Sequence, residues 1–345
     1  MDISQPLLTA KTPWVRPAGT LLLTRRDVCE LLNLDLCIAA VERAFALHAD
    51  GRTLPPGVLG ISAPDGGFHI KAAGLALDRL YFSAKINANF PANQKRFGLP
   101  TIQGVIALCD GETGYPLALI DSIEITALRT AAATAVAAKF LARPESATAT
   151  ICGCGVQGRA QLAALAHVLP IRRCFAHDLD PECARDFSAE MTKLFGFAVI
   201  PVNELKAALQ QSDVCVTCTP SRQPFIHHGM VVPGSFIAAV GADSHDKQEI
   251  EPALLAASTL VVDILDQCAG IGELHHALVA GVLTRSDVHA ELADIVAGRR
   301  PGRSSAEEIT IFDSTGTALQ DVAAAVAVYE CAQRSGRGVA VDFSR

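Results

Sequence analysis

The spacing of hydrophobic positions along this chain changes period twice. From Arg25, RRDVCELLNLDLCIAAVERAFALHADG repeats apolar residues every three to four positions, which predicts an amphipathic helix or helix pair closed by Gly51, with Pro55-Pro56 beyond it. The pattern then shortens to FHIKAAGL, YFSAKINANF, TIQGVIALCD and YPLALID, β-type runs separated by turn-rich stretches, with CDGETGYP joining the last two as a hairpin turn would. A largely antiparallel sheet in an α+β domain is expected here. From Ile123 the period lengthens again into the helical stretch EITALRTAAATAVAAKFLA, ended by Pro144. Beyond it ATATIC, RRCFAHD, FAVIPV, DVCVTCT, SFIAAVG, TLVVDI and EITIFD alternate with helical segments, the order of a parallel sheet with helices on both faces. ALQDVAAAVAVYECAQRSG closes the chain as another helix and is assigned back to the first domain. The expected fold class is therefore α/β in two domains: residues 1–125 with 318–345 forming the α+β domain, and residues 126–317 the parallel one.

Composition narrows the possibilities. A length of 345 residues suits two domains, and a net charge of -7 with no Lys/Arg run interleaved with aromatics argues against nucleic acid as a partner. No window approaches the ~20 apolar residues of a membrane span. The start, MDISQPLLTAKTPWVRP, lacks the charged-then-apolar order of a secretion signal, so a cytoplasmic location is expected. The eleven cysteines read as small buried hydrophobes rather than disulfides. If Val214 to Thr219 is a strand, Cys215 and Cys218 point to opposite faces, so no metal is expected. The doublets His227-His228 and His275-His276 read as loop or surface histidines.

ATATICGCGVQGRAQLAALA is the chain's most informative stretch. Isolated, G-x-G-x-x-G is a weak match, but here Gly153, Gly155 and Gly158 follow an apolar strand and open a helix. The first glycine can make the tight turn, the second lets backbone N–H groups approach a pyrophosphate, and the third lets helix and strand pack closely. A Rossmann dinucleotide site is the reading. Twenty residues after Gly158, Asp178 ends the next predicted strand, where a carboxylate would bond ribose hydroxyls and repel a 2′-phosphate. NAD is thus expected over NADP, with Asp180 a rival for the ribose.

Several segments together resemble the ornithine cyclodeaminase/mu-crystallin family: KINANFPANQKRFGLPTIQG, CDGETGYPLALIDSIEITALRTAAATAVAAKFLA, the glycine loop, VGADSHDKQEIEPALL and FDSTGTALQDVAA. They run from about Lys85 to Ala325, and ALRTAA before the glycine loop is the most specific of them. The resemblance implies a Rossmann domain, an α+β domain for substrate binding and homodimer formation, and nicotinamide-dependent chemistry on an amino acid or cyclic imino acid. It further implies that Lys85 and Arg129 hold the substrate carboxylate, for which a guanidinium is suited by its paired N–H groups. Asp243 matches the general acid/base of the cyclodeaminases, which mu-crystallin-like members lack; partial desolvation is expected to tune it. Further implied cofactor contacts are Thr101, Arg129, Thr130, Val156, Gln157, Thr219, Val240, Lys247 and Ser314.

The chain also departs from the family pattern. TLPPGVLGISAPDGGFHI carries no cation where members often have an arginine, and the strand FHIKAAGL lacks the glutamate that ornithine cyclodeaminases tend to carry. His69 and Lys71 share one face by alternation, so Lys71 is a candidate replacement for the arginine. The leading expectation is deaminating cyclisation of L-ornithine to L-proline. A dehydrogenase of amino acids or a reductase of cyclic imines such as 1-pyrroline-2-carboxylate uses half of that cycle, and a non-catalytic, mu-crystallin-like ligand-binding protein is the third reading.

Overall fold

The computed structural model describes Pro17 and Gly19–Phe343; most of the N-terminal stretch read above for a leader, and the last two residues, lie outside the described residues. The chain divides into two units, Met1–Arg129 with Thr317–Arg345, and Thr130–Gly316. The helix Ile123–Leu141 begins in the first and continues into the second.

The first unit is built on a seven-stranded sheet in the order Val339–Val341, Thr20–Leu23, Pro116–Asp121, Ile102–Asp110, Leu80–Asn89, Gly66–Ala76, Thr53–Ala63. Neighbours are antiparallel except Thr20–Leu23 against Pro116–Asp121. The amphipathic N-terminal run is a helix pair, Arg25–Leu31 and Leu34–Ala49, because Asn33 interrupts it and caps the second helix by accepting from Leu36 N at 2.9 Å. Helix Ala318–Ser335 packs with Leu34–Ala49 on one face of the sheet. It is buried on every side from Ala318 to Tyr329, which explains why ALQDVAAAVAVY shows no polar stripe.

Strand Thr53–Ala63 was not among the expected elements, since Pro55-Pro56 disguise it. It is an edge strand, and the register shifts between Leu54 and Gly57, where the missing N–H groups cost no ladder bonds. Its apolar residues continue a row across the sheet's other face: Leu59 opposes Ile70, Ile70 opposes Ile86, and Ile86 opposes Val105. Leu59, Ile86 and Val105 are exposed, as are Ile61 and Phe68 in the adjacent row.

The second unit carries eight parallel strands in the order Ala290–Glu291, Thr259–Val262, Thr310–Asp313, Phe236–Ala239, Val214–Thr217, Thr148–Cys152, Arg173–His177, Ala198–Pro201. The chain winds outward one way from Thr148–Cys152 and the other way from Val214, so the switch point falls between these two strands. This is the expected α/β architecture, with two additions: the short edge strand Ala290–Glu291, and a separate pair, Arg222–Ile226 with Gln248–Ile250. Two local expectations need correction. The Val214 strand ends at Thr217, leaving Cys218 in the turn, and His275-His276 sit on helix Glu273–Val279 rather than in a loop.

Candidate active site

Parallel strands bring loops together at their carboxyl ends, and five adjacent strands of the second unit do so here. Gly153 leaves the strand Thr148–Cys152 at φ 101°, and its own hydrogen stands where a Cβ would lie 2.9 Å from Cys218 O. Gly158 is as strictly required: a Cβ there would meet Gly153 O at 2.2 Å, so only glycine lets helix Val156–Val168 seat against the turn. Gly155 differs. It is the N-cap of that helix, donates no capping side chain, and has nothing within 4 Å of its virtual Cβ. The result is an uncapped helix start facing open space, with exposed Val156 and then Gln157 in the first turn, able to receive an anion through backbone N–H groups.

Asp178 closes the neighbouring strand, its Oδ2 accepting from Cys154 N at 2.8 Å and its Oδ1 from Asp180 N at 3.0 Å. The rival Asp180 is occupied as the N-cap of helix Pro181–Phe195, accepting from Glu182 N at 3.0 Å. Thr219 follows the strand Val214–Thr217, Val240 follows Phe236–Ala239 and donates its N–H to Thr217 O at 2.8 Å, and Ser314 follows Thr310–Asp313 and donates to Ala239 O at 2.9 Å. Ser314 Oγ is buried without a hydrogen-bond partner. Asp243 and Lys247 meet in the loop after Val240, Lys247 Nζ lying 2.6 Å from Asp243 Oδ1. The Asp243 side chain is 48% exposed, so it is partly covered.

The cations of the first unit form a second cluster. Lys71 opposes Lys85 in register, and both are buried on the face covered by helix Ala318–Ser335. From that helix Asp321, fully buried, accepts a hydrogen bond from Lys85 Nζ on Oδ1 at 2.8 Å, with Nζ also 2.8 Å from Oδ2, and forms an ion pair with Arg129, whose Nε lies 3.0 Å from Oδ1 without hydrogen-bond geometry. Arg129 also donates to Gln320 Oε1 at 2.9 Å. Burial and the neighbouring Arg129 charge push Lys85 down to about 7 against the pull of Asp321. Burial alone would raise the Asp321 carboxyl, but Lys85 and Arg129 together hold it below its usual range. Asp321 was missed in the sequence because an Asp inside an apolar helix carries no motif of its own; the signal available was that a lone carboxylate on an all-buried helix demands cations.

Two sequence candidates stand apart from these groups. Thr101 lies on an exposed turn of the first unit, its carbonyl accepting from Phe90 N, five residues along the strand direction from Ile106 opposite Lys85. Thr130, buried on the long helix, directly follows Arg129. Across the ladder Val58 of the Thr53–Ala63 strand opposes Lys71. Among the described residues no three His, Cys, Asp or Glu side chains are arranged to hold a metal ion, and no helix is long and apolar enough to cross a membrane.

The doubly wound sheet with its glycine turn defines the class of dinucleotide-binding folds. Residues 19–336 match the model of the ornithine cyclodeaminase/mu-crystallin family, and the chain belongs to that family. An archaeal alanine dehydrogenase, solved as a dimer with bound NAD, is 38% identical, with a TM-score of 0.89 over 94% of this chain and 99% of that one. The Thermococcus litoralis Δ1-pyrroline-2-carboxylate reductase, solved with NADH and L-proline, is 35% identical, with a TM-score of 0.88 over 93% and 100% of the two chains. L-lysine cyclodeaminase of Streptomyces rapamycinicus is 32% identical over 88% of this chain and 89% of its own.

Proposed function

We propose that this protein is an NAD-dependent oxidoreductase interconverting α-imino and α-amino acids, acting as a homodimer. The observation that carries the reading is the charge of the buried cluster: two cations, Lys85 and Arg129, share a single carboxylate, Asp321. An unbalanced buried cation is costly, and a substrate carboxylate supplies the missing charge with hydrogen-bond geometry. Asp321 aims Lys85 and Arg129, so it acts as the internal half of the carboxylate clamp.

The side chains around the cluster favour redox chemistry over cyclodeamination. The sheet row containing Lys71 and Lys85 continues with Val58, Ile106 and Ile120, and the next row holds Gly60, His69, Asn87 and Gly104. Neither row carries a carboxylate of its own, so these two rows offer no counter-charge to the side-chain ammonium of ornithine or lysine. An imino acid with an uncharged side chain needs none.

The residues of the second unit suit NAD. The uncapped start of helix Val156–Val168 and the open space beside Gly155 fit a pyrophosphate, and Asp178 at the adjacent strand end fits ribose hydroxyls and disfavours a 2′-phosphate. When bound, the nicotinamide supplies hydride to, or accepts it from, the substrate α-carbon. Asp243 is assigned the proton that the substrate nitrogen gains on reduction or loses on oxidation, and Lys247 orients that carboxyl. The row Leu59, Ile70, Ile86 and Val105, exposed except at half-buried Ile70, is assigned to the contact with a second copy.

A panel of Δ1-pyrroline-2-carboxylate, pyruvate with ammonia, L-alanine, L-proline and L-ornithine, followed at 340 nm and by product mass, tests the reading. Net NADH consumption with an imine is expected. Ornithine turning into proline and ammonia with no net change in NADH would establish the cyclodeaminase instead.

A further inference from the structure

Glu249, on the strand Gln248–Ile250, has no part in the roles given above, yet it is fully buried beside the nucleotide-facing turns. Its Oε1 accepts from Thr219 N at 2.6 Å and Thr219 Oγ1 at 2.7 Å, and its Oε2 accepts from Gly241 N at 2.9 Å. A backbone N–H can only donate, so both oxygens must be acceptors and the group fits as a carboxylate. The strand that carries it is itself pinned: Glu249 N and Ile250 N donate to the carboxylate of Glu273 at 2.7 and 3.1 Å.

These contacts join the two halves of the catalytic edge. Thr219 follows Cys218, whose carbonyl is the wall against which Gly153 turns. Gly241 precedes Asp243 by two residues and accepts from Asp243 N at 3.1 Å. Gly241 is reserved for this packing, since a Cβ there would lie 2.4 Å from both Glu249 Cδ and Thr219 O. One side chain therefore connects the turn beside the glycine loop to the turn that presents Asp243.

We infer that Glu249 is a positioning residue whose carboxylate locks the Thr219 and Gly241 turns together, setting both the affinity for the dinucleotide and the placement of Asp243. The inference rests on the function proposed above. Burial pushes the Glu249 carboxyl upward despite its hydrogen bonds, so the lock is one that acid can open.

The test is Glu249→Gln in the full-length protein. In either orientation the amide NH2 replaces one acceptor and faces the N–H of Thr219 or of Gly241. The expected result is NADH affinity, read by fluorescence titration, weakened on the order of 10- to 100-fold, together with a lowered kcat. KM for the imino acid should stay within about 2-fold, because its carboxylate is held by Lys85 and Arg129. The wild-type loss of NADH affinity toward acidic pH should vanish in the variant. If Glu249→Gln does not fold, Thr219→Val serves: it keeps the backbone N–H, removes the hydroxyl's bond to Glu249 and the weaker one it accepts from Ser221 N, and should weaken NADH by about 5-fold. A folded Glu249→Gln with unchanged NADH affinity and kcat, or an unaltered Thr219→Val where Glu249→Gln does not fold, overturns the inference alone. Wild-type protein that binds no NADH overturns it together with the functional reading.

Discussion

Replacing Asp321 with Asn removes one negative charge from the buried cluster at almost no change in volume, and leaves Lys85 and Arg129 without the carboxylate they share. At 2.8 Å and an effective dielectric constant of ~20, a contact such as Lys85 to Asp321 is worth on the order of 6 kcal/mol before desolvation is subtracted. Breaking a buried pair from one side costs about 3–5 kcal/mol net. For a unit of roughly 160 residues each kcal/mol moves Tm by about 2–4 °C, so the variant should melt roughly 6–20 °C lower. The assay is urea and thermal unfolding followed by circular dichroism. The double variant Asp321→Asn with Lys85→Met should recover part of the loss, since it removes an uncompensated cation. An Asp321→Asn protein within about 0.5 kcal/mol of wild type, or a double variant no better than the single one, would refute the charge argument.

Four further outcomes follow from the fold and its cation cluster. Lys85, held down at about 7, should lose its proton as pH rises through that range, so kcat/KM for a carboxylate substrate should fall above about pH 7, and Lys85→Met should lack that limb. Folded Lys85 binds its proton less firmly than the unfolded residue does, so its contribution to stability should grow as pH rises from about 7 toward 10.5, measurable by urea unfolding across that window. Gly155→Val should leave Tm unchanged while abolishing NADH binding, because nothing lies within 4 Å of its Cβ, whereas Gly158→Ala should cost both, its Cβ meeting Gly153 O at 2.2 Å. Ile86→Asp in the exposed cross-strand row should yield a monomer by light scattering, and a variant that stays dimeric would remove that face from the interface.

What the sequence made legible was periodic or glycine-bound. Seven of the parallel strands were visible as short apolar runs bounded by turn residues, the central ones buried on both faces, and the helix after the glycine loop as the alanine-rich stretch that follows it. The Thr53–Ala63 strand was hidden because its two prolines are tolerated only through an edge position and a register shift, both properties of the whole sheet. Within the site, Lys85 and Arg129 could be picked out from their motifs, but Asp321 could not, since its meaning comes from two cations at sequence separations of more than 190 residues. Glu249 was invisible for the same reason: its partners Thr219 and Gly241 belong to two other turns. Asp180 illustrates the converse, a residue eligible by spacing whose carboxylate is spent on capping a helix.

The central claim is that this chain moves a hydride to the α-carbon of a substrate whose carboxylate rests on Lys85 and Arg129. NADH deuterated at C4 on the transferring face, incubated with Δ1-pyrroline-2-carboxylate, tests it most directly by mass spectrometry of the product. The account predicts one deuterium on the α-carbon of proline for each NADH oxidised, and loss of that label in Arg129→Met. Proline without deuterium, or label incorporation undiminished in Arg129→Met, would contradict it.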